Sequence, residues 1–300
     1  MTNQDTSDEQ PGTTAAAQML KAGDSVGNRV REAIDTRTQA TVDAWMAAGT
    51  LAYSFAFVLS SFENITRTGV DIGAVDDSGD GRTVVFLIMA AVFTMAFLAE
   101  GLTDSLRKPA SRPSGVRRFW AAASSALPLL SLLILTFAAP ATPWPAVLAV
   151  AVVAVVPMVT LALRSATRAH AAGVRRPAPS FSALPDPADR AITAILGVAL
   201  GALCVATGMP DPLVGTIAFI IFVLALMGTR GSRVGVDRAA QFWGRAQWTA
   251  FGFSYLGVLG LAVLLARTPW DLTVVSIVGG VLVAAPLVFA AFRPAPIWEA

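Results

Sequence analysis

What most limits the folds open to this chain is the length of its apolar runs. Eight of them, at residues 45–62, 83–103, 119–139, 144–163, 191–208, 213–228, 248–266 and 272–292, approach or reach twenty residues. A helix of that length crosses a hydrocarbon layer of roughly 30 Å. One large soluble core would impose no such uniform block length. The composition agrees: 55% of residues are hydrophobic and 14% charged, and the mean hydropathy is +0.62, whereas soluble domains average about 25% charged. The fold class read here is an all-α polytopic membrane helix bundle with eight transmembrane helices.

The second constraint is a duplication. Residues 111–164 run SRPSGVRRFW, an apolar block, TPW, a second apolar block and PMVTLALR, and residues 232–293 repeat that order. The copies match Trp120 with Trp243, Trp144 with Trp270, Pro157 with Pro286, and Arg164 with Arg293. Four spans per half give both copies the same sense, so the expectation is two parallel four-helix repeats related by an axis along the membrane normal. The domain reading is a tail with a short amphipathic helix (1–44), a first repeat (45–164), a linker (165–190), a second repeat (191–293) and a closing tail (294–300). Residues 1–18 lack large apolar side chains and read as a disordered tail rather than a signal peptide. Val26, Val30 and Ile34 place a narrow apolar stripe on a helix over Ser25–Asp35.

Charge sets the expected orientation. The side carrying both termini holds nineteen of the 22 Lys and Arg residues, and the other side only Arg67, Arg82 and Arg267. Cytosolic loops carry the basic excess, so both termini are expected in the cytosol of a cell plasma membrane. The same topology accounts for the net charge of +2 without a nucleic-acid partner. An arginine-rich cytosolic face could meet anionic lipid or a partner subunit.

Candidate sites are few. Glu100 is the one acid inside an apolar run, and a charge in lipid is costly enough to be a functional candidate. It lies near the cytosolic boundary, however, and Asp104 and Lys108 follow at helical spacing to lead the charge to water. Tyr53 and Tyr255 occupy comparable depths in the first and seventh spans, as substrate contacts or as packing. Pro157 and Pro286 each remove a backbone donor and kink the last span of a half. Trp120, Trp144, Trp243 and Trp270 read as interfacial anchors, and Arg164 and Arg293 as snorkelling side chains at helix ends. Gly197 and Gly201 form a GxxxG for close helix packing.

Several chemistries lack their residues. The only histidine, His170, falls in the linker, and the only cysteine, Cys204, sits in an apolar block as a small packing residue. DDSGDG at 76–81 resembles half a calcium loop, but its twelfth position is Leu87, so no metal or other cofactor is expected. No zinc or Walker motif is present. The functions left are a transporter or permease, or its membrane subunit, for a neutral or hydrophobic small molecule, and alternatively a non-transporting assembly, regulatory or sensing subunit. The kinked helices at Pro157 and Pro286 and a groove between them are the expected place to look, and a membrane enzyme acting on lipid ranks last.

Overall fold

The computed structural model of the chain describes residues 36, 38–60, 80–104, 119, 130, 134, 144–171, 181–267 and 272–297. Among them are the helices α1 (Thr38–Ser60), α2 (Asp80–Asp104), α3 (Trp144–Ala171), α4 (Pro187–Thr207), α5 (Pro212–Gly228), α6 (Val236–Phe242), α7 (Arg245–Arg267) and α8 (Leu272–Ala291). Two short strands, β1 (Phe181–Ala183) and β2 (Ala295–Ile297), pair antiparallel with Ser182 opposite Pro296. Six of the helices, α1, α2, α3, α4, α7 and α8, are long and apolar enough to cross a membrane. This is a multi-pass arrangement. α5 is equally apolar but has only 17 residues.

Of the eight expected spans, six correspond to these long helices and the sixth to the shorter α5. The third, at 119–139, falls outside the described residues except for Phe119, Leu130 and Ile134, which are helical and exposed. The N-terminal tail, the helix over Ser25–Asp35, and Trp120 and Trp270 also lie outside them.

The outer surface explains why these helices need lipid. Leu51 and Phe55 on α1, Val152 and Val153 on α3, Leu213, Ile217 and Leu224 on α5, and Val281, Leu282 and Phe289 on α8 are all exposed. Hydrocarbon covers such faces at no cost, whereas water would not. Several hydroxyls inside the spans are satisfied by bonding back along their own helix, as Thr94 is by the Ala90 carbonyl at 2.8 Å.

Packing is organised around two helices. α4 and α8 run antiparallel in the closest contact of the bundle, and Gly201 and Gly280 make it possible. A Cβ on Gly201 would lie 2.5 Å from the Gly280 carbonyl oxygen, so any side chain there would force the backbones apart. α2 sits centrally, against α4, α5, α6 and α7. α7 in turn packs on α8, while α1 meets α7 and α3 through polar contacts described below.

Three boundaries differ from the sequence reading. α3 does not end at Arg164 but continues to Ala171, because RSATRAHA contains good helix formers and no Gly or Pro to stop it. The linker is therefore shorter than 165–190, and part of it is tied to the C-terminal tail by the β1–β2 pair. The loop before the seventh span contains α6, seven residues long, too short for a periodic pattern to reveal. α1 begins at Thr38, which places Trp45 two turns inside the helix rather than at its start.

Candidate functional site

The polar groups of the bundle gather along a seam where α1 and α2 meet α7. Tyr53 and Tyr255, both buried, come together here, Tyr255 near the middle of α7 and Tyr53 in the second half of α1. The Tyr255 hydroxyl donates to the Gly49 carbonyl at 2.8 Å, tying α7 to α1 across 206 residues of sequence. Between the two rings lies a cavity of about 20 Å³, bounded by Met46 and Thr50 on α1 and by Val92 and Met95 on α2. That is room for one water, which needs roughly 10–15 Å³ and polar partners. Ser54, buried next to Tyr53 in sequence, has a hydroxyl with no hydrogen-bond partner among the described residues.

Towards the arginine-rich end the seam is closed by aromatic rings. Trp45 on α1 packs against Trp248 on α7 at 5.6 Å, and Trp248 meets Trp243 edge-on at 5.3 Å. Phe251 continues the series to Tyr255 at 5.8 Å. Trp243 turns inward, and its indole donates to the Thr193 hydroxyl of α4 at 3.0 Å. Gln247 is also buried here. It donates to the Ala290 and Arg293 carbonyls, both at 3.0 Å, and so ties α7 to the end of α8, where carbonyls lack the next turn's donors.

Further out, an ion pair links parts of the chain distant in sequence. Glu100, near the end of α2, accepts from Arg230 in the turn after α5. Asp237 shapes that turn: its carboxylate accepts from the Gly231 N–H at 3.0 Å. α2 comes down directly on Asp237, where a Cβ on Gly101 would lie 1.8 Å from the Asp237 carbonyl oxygen. At the opposite end of the seam Arg267 donates to the Leu59 carbonyl at 2.6 Å. The seam is therefore held at both ends and narrow in the middle.

The other candidates from the sequence are placed as follows. Asp104 is the last residue of α2, and Trp144 the first of α3. Pro157 and Pro286 both lie inside helices, but those helices are not neighbours: α8 packs on α4 and α7, whereas α3 meets α1, where the Ser165 hydroxyl donates to the buried Asp43 carboxylate. The groove expected between the prolines is thus replaced by two separate interfaces. Arg164 is exposed on α3, and Arg293 is exposed just past α8. Cys204 is fully buried in the core. Among the described residues no group of three or more His, Cys, Asp or Glu is placed to hold a metal ion. Arg230, Gln247 and Asp237 are the residues that sequence reasoning did not single out. Arg230 stood only as one charge in a basic loop, and nothing local paired it with an acid 130 positions earlier.

The apolar helices and their exposed faces define a multi-pass integral membrane protein. No protein-family model, curated protein or solved structure matches the chain.

Proposed function

We propose that this protein is a permease-type transporter, or the membrane subunit of one, for a small neutral solute, in its closed form. The observation that carries this reading is the tyrosine-lined cavity at mid-depth between the halves, with the Glu100–Arg230 pair above it. Substrate sites of duplicated transporters lie near the midplane at the interface of the repeats. The hydroxyls of Thr50, Tyr53 and Tyr255 and the absence of a charged lining residue suit a neutral solute. The ion pair is suited to act as a latch because both its side chains are partly exposed, and such pairs contribute only about 0–1 kcal/mol.

The duplicated eight-span layout belongs to the same proposal. Its support is that the first and last described helices of each half pair with one another, α1 with α3 and α4 with α8. Each of those first helices also carries a buried acid near its start, Asp43 or Asp189. The charge asymmetry supports a cytosolic arginine-rich end with both termini on that side of a plasma membrane.

Flux of glycerol-sized neutral solutes into proteoliposomes tests the function. Wild type should exceed protein-free vesicles, Glu100→Gln or Arg230→Gln should raise the rate several-fold, and Thr50→Trp should abolish it. Rates equal to empty vesicles for wild type and both latch variants would remove the transport reading. The size of the cavity, about 20 Å³, favours a second reading, a closed assembly or regulatory subunit. A partner that co-purifies tightly with a flux-inactive protein would support that one instead.

A further inference from the structure

A groove lies apart from the seam, between the first turns of α1 and the last turns of α3. Its volume is about 680 Å³, and its walls are Ala44, Trp45 and Ala48 on one side and Ala166, Ala169 and His170 on the other. The volume falls in the range of small-molecule sites, roughly 300–1,000 Å³. The Ser165–Asp43 hydrogen bond joins the two helices beside it.

Its surroundings identify what covers it. On α1 the residues Ala44, Ala48, Leu51 and Phe55 recur every three or four positions and are exposed, so they form one stripe. On α3 Leu163, Ala166 and His170 are exposed at the same spacing, and Val152 and Val156 lie on that face beyond the exposed Thr160. At mid-depth these stripes are large apolar side chains facing lipid. The α1 stripe continues without a break into the groove, where the side chains shrink to alanine and leave a trough. An imidazole, an apolar ring with a polar tip, stands at its outer end, and alongside it an indole, a residue type that sits at the level of lipid headgroups.

We propose that this groove holds one phospholipid. An acyl chain lies along Ala44 and Ala48 and continues over Leu51 and Phe55. The phosphodiester lies at His170, whose ring N–H donates to it. Trp45, half-buried and packed on Trp248, links the bound lipid to the aromatic closure of the seam. The proposal rests on the membrane-spanning reading of the helices and is independent of transport.

Native mass spectrometry of the full chain, extracted in mild detergent from vesicles of phosphatidylglycerol and phosphatidylcholine, tests it. The wild type should retain one phospholipid per monomer. Ala44→Trp and Ala166→Trp, which fill the groove from opposite walls at exposed positions, should each lower retention at least ten-fold. Val281→Trp, on the lipid-facing side of α8, should leave retention unchanged, and His170→Ala should lower it several-fold. No retained lipid in wild type, or wild-type retention in both filled variants, overturns the proposal. So does a two-copy species that the filled variants abolish, since a second chain then occupies the groove. A Cys204→Ser, Ala44→Cys protein whose thiol resists maleimide after complete delipidation overturns it as well, because the chain then covers its own groove.

Discussion

Tyr255 brings an aromatic ring and a single polar atom into the middle of the bundle, and its hydroxyl is held by a helix carbonyl rather than by another side chain. Interhelical hydrogen bonds in membranes are worth about 0.6 kcal/mol on average, and buried ones in soluble proteins about 1 kcal/mol. Tyr255→Phe should therefore destabilise by about 0.5–1.5 kcal/mol, seen as a lower unfolding midpoint in detergent. An unchanged midpoint would mean that the contact with Gly49 contributes nothing. That this residue and Tyr53 occupy comparable positions along their spans could be expected from the sequence, because position along a span converts directly into height. Their meeting was not legible, because it depends on how each helix is rotated and which neighbour it finds. The same is true of Glu100: its height could be counted, but Arg230 could not be foreseen as its partner.

At the scale of elements, the long apolar helices among the described residues could be located in the sequence, since hydrocarbon thickness sets their length, although α1 begins and α3 ends about two turns outside the apolar runs. What escaped were the features set by contact. α6 exists because a seven-residue turn of helix fits under the end of α2, and its clearest trace in sequence is Gly101, which looks like any other glycine in a span. Gly101→Ala should be costly, about 1–3 kcal/mol as for other overpacked sites, since the new methyl meets the Asp237 backbone. Gly228→Ala is the matched control: nothing lies within 4 Å of its Cβ position, so it should leave the unfolding midpoint within error. Equal effects from the two substitutions would argue against a tight α2–α6 clamp. The extension of α3 past Arg164 was missed for the opposite reason. The polarity of RSATRAHA read as a linker, although its helix propensity is high.

The whole molecule joins its halves at several levels: Arg267 to Leu59 at one end, Tyr255 to Gly49 in the middle, and Glu100 to Arg230 at the other. One element in this frame is out of scale with the rest. At about 1.5 Å per residue α5 is about 25 Å long, short of a hydrocarbon layer of roughly 30 Å. Nor can it slide to hide the deficit, because Asp211 caps its start by accepting from the Leu213 N–H at 2.9 Å, and Arg230 is engaged by Glu100 just past its end. In the eight-span layout proposed above, where α5 crosses, the bilayer yields instead, thinning beside α5 at a cost of fractions of a kcal/mol per ångström of mismatch. The protein should thus be most stable in membranes of shorter acyl chains, with its unfolding midpoint falling as reconstituted chains lengthen from 14 towards 20 carbons (~). In a cell with membranes of unequal thickness, that one short helix would bias where the protein accumulates.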